Sequence, residues 1–89
     1  MRETFSSTSR HRPTSIHRQL SKKIQILRFM RGWSQETLAE LADVHRNYIG
    51  HVERLQVNAG LAHLEKIAKA FDIPIHELLD MQTTLSLKT

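Results

Sequence analysis

From Ile16 onward, apolar side chains recur at intervals of three and four, the spacing of one face of an α-helix. Leu20, Ile24 and Leu27 mark a first helix over 17–31. Gly32 stands where a residue able to turn left-handed would stop it. Ser34 then reads as an N-cap, with Trp33 before it and Leu38 four residues after as the two halves of a hydrophobic staple. The reciprocal capping box is missing there, because Thr37 occupies the place of the Glu or Gln it needs. A short second helix over 35–42 ends at Asp43, a residue type that tolerates positive φ better than most. Tyr48, Ile49 and Val52 define a third helix over 45–54, and 55–59 form a connection. A fourth helix over 60–71 repeats Leu61, Leu64, Ile67, Ala68 and Phe71, and Asp72 can close it. Pro74 opens a last helix over 74–80 that presents Ile75, Leu78 and Leu79. The remainder alternates weakly through Leu85 and Leu87. No strand pattern competes and nothing repeats, so the fold class is all-α.

Composition narrows the function classes. The chain has 89 residues, 39% hydrophobic and 25% charged, which suits one small globular domain. No apolar run approaches the roughly 18–20 residues that span a bilayer. With no cysteine, a disulfide framework, thiol chemistry and cysteine-based zinc sites are excluded. Gly32, Gly50 and Gly60 are the only glycines, so no phosphate-cradling glycine loop can be written. So short a chain can hardly fold and also enclose a substrate cleft, and it is expected not to be an enzyme. Residues 1–15, rich in Ser, Thr and Arg and nearly empty of apolar side chains, read as a disordered basic arm. The domain is expected over 16–81 and a tail over 82–89.

The net charge of +4 is unevenly placed. Arg2, Arg10 and Arg12 against Glu3 give the arm +2. Between 16 and 58, Arg18, Lys22, Lys23, Arg28, Arg31, Arg46 and Arg54 outweigh Glu36, Glu40, Asp43 and Glu53 by three. Between 59 and 87, Lys66 and Lys69 face Glu65, Asp72, Glu77 and Asp80, leaving −2. One basic and one acidic half can turn a polyanion toward a single face.

The stretch QETLAELADVHRNYIGHVER, Gln35 to Arg54, fits two short helices crossed tightly. Ala39 is small where the backbones would touch, and Asp43 supplies the turn. Leu38, Ala42, Val44, Ile49 and Val52 are apolar anchors for both helices. His45, Arg46, Asn47 and, one turn later, His51 are left pointing outward. Arg can give two parallel hydrogen bonds to guanine and Asn can pair both ways with adenine, so this face suits base edges in a major groove. Singly, each is an ordinary solvated surface residue; the anchor spacing around a small residue and a turn is what favours DNA reading.

These residues, with IQILRFMRGW before them and LEKIAKAFDIPIHELL after, resemble the Cro/repressor-type, or XRE-family, helix-turn-helix domain over about 17–80. The restriction–modification controllers and the phage repressors are the subtypes it is most similar to. The resemblance implies a compact five-helix, lambda-repressor-like fold whose third helix enters the major groove. It implies that Arg46, Asn47 and His51 read bases, joined by His45. It implies a phosphate bond from Gln35 at the N-terminus of the second helix, in keeping with helix N-termini as anion sites. Tyr48, Arg54, Gln56 and Asn58 complete the expected phosphate contacts. It also implies an ion pair between Arg28 and Glu53 that orients the third helix more than it stabilises it. Three positions depart from the family pattern: Asp43 and Leu55 stand where Gly is common, and Ala59 where Pro is.

Other constellations have simpler readings. Six histidines (His11, His17, His45, His51, His63 and His76) lack the spacing and carboxylate partners of a metal site, and no metal or other cofactor is expected. Ser34, His51 and Asp43 make a triad only on paper, with no oxyanion hole in prospect. Trp33 serves a staple better than a stacking platform. Phe29 lies off the Leu20–Leu27 stripe, exposed or against a partner. The expected function is a sequence-specific transcriptional regulator, working as a homodimer on a pseudo-palindromic operator in double-stranded DNA, with half-sites about 34 Å apart. Its dimer surface would use Ile75, Leu78, Leu79, Met81 and Leu85. No small-molecule effector or membrane is expected, and the setting would be the cytoplasm of a bacterium or a phage host, on the nucleoid. The rival reading is a protein-interaction module on the same fold, an antitoxin or a coactivator-like adaptor.

Overall fold

The structure of the protein, a computed structural model, describes residues 13–80. Residues 1–12 of the expected arm and residues 81–89, with Met81 and Leu85 of the expected dimer surface, lie outside them. Helix α1 spans Ser15–Arg31, starting earlier than the apolar spacing predicts. A reciprocal cap sets the start. The Thr14 hydroxyl accepts from the His17 amide at 3.2 Å, and His17 Nδ1 accepts from the Thr14 amide at 3.0 Å. Histidine here takes the part usually played by Glu, which is why the polar, Ser-rich sequence concealed a helix start.

Four shorter helices follow: α2 Gln35–Ala42, α3 Tyr48–Glu53, α4 Leu61–Phe71 and α5 Ile75–Leu78. Three of the five end in the left-handed conformation, at Gly32, Asp43 and Asp72, each amide bonding back to carbonyls of the last turn. Ser34 caps α2 as expected, its hydroxyl accepting from the Thr37 amide at 3.0 Å. Pro74 is the N-cap of α5 rather than its first helical residue, and that helix is a single turn.

Every helix contributes to one core. Ile24, Leu38, Ile49, Ile67, Phe71 and Leu78 are its largest fully buried side chains. Ala39, Ala42 and Val52 are buried with them, and Val44 packs on the cluster. Helix α2 lies against α3 and α4, α3 against α1, and α5 closes the far side between α4 and α1. Leu61 departs from its place in the repeat: as the first residue of α4 it stays 70% exposed. Trp33 stacks flat on Phe71 with ring centroids 5.5 Å apart. Phe29 and Met30 stay exposed on the outer side of α1.

Two cations fasten the carboxyl ends of helices. Lys23, buried, donates through Nζ to the carbonyls of Glu77 at 2.9 Å and Asp80 at 2.7 Å. Arg31 donates to the Phe71 carbonyl at 2.7 Å, its guanidinium lying over the Trp33 and Phe71 rings. Unpaired carbonyls at a helix end favour such charge-assisted bonds. Leu78 requires a correction: with no exposed surface it belongs to its own chain's core, because α5 is folded in by Lys23 and by that side chain. Ile75 is half-buried on the same core, and Leu79 keeps 38% of its surface. Among the described residues, no helix is long and apolar enough to cross a membrane.

Candidate nucleic-acid interface

The chain leaves α2 through Asp43, whose left-handed backbone (φ 59°) lets the Val44 amide bond the Ala39 carbonyl at 3.0 Å. A tight turn follows, closed by the Tyr48 amide on the His45 carbonyl at 2.9 Å. His45, Arg46 and Asn47 therefore precede α3 instead of forming its first turn, a correction to the 45–54 helix. They remain exposed and contiguous. His45 Nδ1 accepts from the Asn47 amide at 3.1 Å, which leaves the proton of a neutral ring on outward-available Nε2. Asn47 is the N-cap residue of α3, yet its side chain makes no capping bond, so the carboxamide is uncommitted. The Arg46 side chain likewise makes no hydrogen bond or ion pair among the described residues. His51, a turn along α3, is half-exposed. The four expected base-reading residues are thus brought together at one edge of the two-helix unit.

Behind that edge lies a polar network centred on Glu53. Arg28 binds it with both arms, Nε to Oε2 at 2.8 Å and Nη2 to Oε1 at 3.0 Å. The side chains are only 12% and 5% exposed, so the expected ion pair is present and largely desolvated. Arg28 Nη1 also donates to the Trp33 carbonyl at 3.0 Å. Ser21 donates to the Glu53 carbonyl at 2.8 Å, and Gln25 to the Ser21 hydroxyl at 3.2 Å. One carboxylate so joins α1, the turn before α2, and the end of α3. Ser21 escaped sequence reasoning, although a serine seven residues before Arg28 on the same helix face was the available sign.

The expected phosphate contacts divide. Gln35 donates its side-chain amide inward, to Glu53 Oε1 at 2.9 Å. Arg54 is exposed, its Nε bonded to Gln56 Oε1 at 3.2 Å, and Asn58 is exposed beyond them. Tyr48 requires a correction: its ring stacks on His63 at 4.4 Å and its hydroxyl is enclosed beside the Gly60 backbone, without a well-formed hydrogen bond among the described residues, so it cannot reach a phosphate. Burial raises the phenol above its ordinary pKa of 10.0, an effect the nearby Gly60 backbone only partly offsets. After Arg54 the chain turns at Leu55, which holds φ 62° where a glycine would be unstrained.

This arrangement is that of two short helices packed together, the first burying the small Ala39, with the turn between them and the second helix presenting polar side chains outward. The pattern of the helix-turn-helix family matches residues 18–78, most of the chain. The chain belongs to the helix-turn-helix (XRE) family of DNA-binding transcriptional regulators. It is 40% identical over 63 residues to the control protein C.SmaI of Serratia marcescens, covering 71% of this chain and 75% of that one. The controller C.AhdI of Aeromonas hydrophila superposes with a TM-score of 0.69 at 40% identity, over 73% of this chain and 98% of the other. SinR, the master regulator for biofilm formation, solved in complex with DNA, gives a TM-score of 0.63 at 37% identity, over 68% and 98%. The chain spans a little over half, 57%, of a hypothetical transcription factor from Neisseria meningitidis and 56% of the full SinR of Bacillus subtilis.

Proposed function

We propose that this chain is a sequence-specific regulator that binds a pseudo-palindromic operator as a homodimer. The turn before α3 and the start of that helix would lie in the major groove. The observation that carries the reading is the exposed run His45, Arg46, Asn47, in which the Arg46 and Asn47 side chains make no hydrogen bond among the described residues, with the Glu53 network behind it. Arg46 would take guanine O6 and N7 and Asn47 adenine N6 and N7, with His51 and the His45 Nε2 proton completing the edge. Arg54, Gln56 and Asn58, on the connection after α3, would hold the phosphate backbone and set register. A domain this small makes few base contacts, and two half-sites supply the missing selectivity. Regulation through protein concentration and dimerisation fits such a chain.

Selection of bound duplexes from a randomised library tests the proposal. The expected result is an enriched site with two inverted half-sites about 34 Å apart between centres. No enrichment, with binding that hardly changes between low and moderate salt, would favour an adaptor on the same fold, because phosphate contacts make affinity fall steeply with salt.

A further inference from the structure

Gly50 is the one glycine inside α3, and it is buried. Its backbone is ordinary right-handed helix, so no conformational need explains a residue that weakens a six-residue helix. Space explains it. A Cβ at position 50 would lie 3.0 Å from Arg54 Nη1, 3.4 Å from Arg54 Nη2 and 3.2 Å from Gln35 Oε1. The Arg54 guanidinium therefore folds back one turn along α3 over the hollow left by the missing side chain, which the Gln35 amide, from the N-terminus of α2, also borders. Each is held from its other side: Gln35 Nε2 by Glu53, Arg54 Nε by Gln56. Both Nη groups of Arg54 stay without a carboxylate among the described residues.

We propose that Gly50 is a positioning residue for DNA-backbone binding. Its missing side chain lets Arg54 lie beside the first turn of α2, so that one phosphate meets the guanidinium and the N-terminal end of that helix together. This rests on the DNA-binding reading above and adds to it the residue that assembles the contact. Arg54 by itself, on a flexible stem, would approach phosphate as a loose surface charge. Seated over Gly50, it presents its Nη edge in a fixed place relative to α2.

The test uses the full chain and a random-sequence duplex pool, since phosphate contacts do not depend on base sequence. Gly50→Ala should keep or raise Tm, because alanine is the better helix former and the atoms it meets are ends of flexible side chains. Its affinity should fall about tenfold, the scale of one charge-assisted contact. The log–log salt slope should become shallower by about 0.9, one phosphate contact. In the double variant with Arg54→Ala, the loss should not exceed that of Arg54→Ala alone, because both changes remove the same contact. Unchanged affinity and slope in Gly50→Ala would overturn the proposal, as would losses that add in full. A lowered Tm would also overturn it, by showing that the methyl group meets something less yielding than two side-chain ends. A wild-type chain with no salt-dependent duplex binding would instead sink the DNA reading, and the role of Gly50 with it.

Discussion

In the proposed reading, Arg46 and Asn47 would act through what they leave unbonded. A guanidinium with no partner among the described residues keeps its hydrogen-bonding capacity for a base edge, whereas Arg28 is committed through Nε, Nη1 and Nη2 to Glu53 and the Trp33 carbonyl. Arg46→Ala should weaken binding to the selected operator by about 1–3 kcal/mol and relax preference at a single base pair. A mobility-shift series over single-base variants reads both effects, and a uniform loss over all sequences would demote Arg46 to a phosphate contact. Tyr48 shows the opposite situation, a polar atom enclosed without a well-formed hydrogen bond among the described residues. Tyr48→Phe keeps the ring against His63 and removes that atom, so stability should rise by about 1 kcal/mol in denaturant melts. A pH signature accompanies it. The folded pKa lies above the unfolded value of 10.0, so the folded state holds this proton more tightly. Stability is therefore untouched by this group's titration below pH 10 and falls as pH rises from there through the folded value. The Tyr48→Phe variant would lack that alkaline loss, and an identical alkaline limb in both proteins would count against the assignment.

Capping, more than helix propensity, sets where the elements begin and end. Helices of eight, six and four residues are too short to persist alone, so their ends are held by bonds from outside. Ser34 serves the N-terminus of α2, Ser21 the carboxyl end of α3 and Lys23 that of α5. The exit from α3 is the least comfortable of these junctions. A left-handed backbone costs a residue with a β-carbon on the order of 1–2 kcal/mol, and leucine has no polar side chain to offset it as Asp43 and Asp72 do. Leu55 is half-buried but adds nothing to the core cluster. Leu55→Gly should therefore raise stability by up to about 1 kcal/mol, part of the gain being cancelled by the freer unfolded chain. Urea unfolding would show a higher midpoint at unchanged slope. A lower midpoint would mean that the Leu55 side chain contributes more by packing than its backbone loses.

At the scale of the whole molecule, the question is which apolar surface remains once the single core is filled. Leu78 is consumed by that core, Ile75 partly, and Leu79 is left at the edge of α5. For a homodimer that uses this end of the molecule, Leu79→Asp should yield monomers in sedimentation velocity with circular dichroism unchanged. Leu78→Asp should instead unfold the chain, because it buries a charge with no partner. A Leu79→Asp protein that stays dimeric would move the interface elsewhere, and the exposed Phe29 and Met30 on α1 would be the next surface to test.

Much of this was legible in the sequence. The period of Leu20, Ile24 and Leu27 and of Leu64, Ile67 and Phe71, the stops at Gly32, Asp43 and Asp72, and the small Ala39 between apolar anchors depend on local geometry. Local geometry repeats every few residues and is written in neighbouring letters. The Arg28–Glu53 pair came from the family resemblance and was met in the structure. What required the folded chain were the contacts between positions far apart in sequence. Lys23 reaching Glu77 and Asp80, Ser21 and Gln35 converging on Glu53, Arg54 lying over Gly50, and Tyr48 turned inward depend on which helix faces meet. The same composition permits a buried or an exposed lysine, a bonded or an orphaned hydroxyl. Only packing decides between them, because desolvation depends on what surrounds an atom in space and not on its neighbours along the chain.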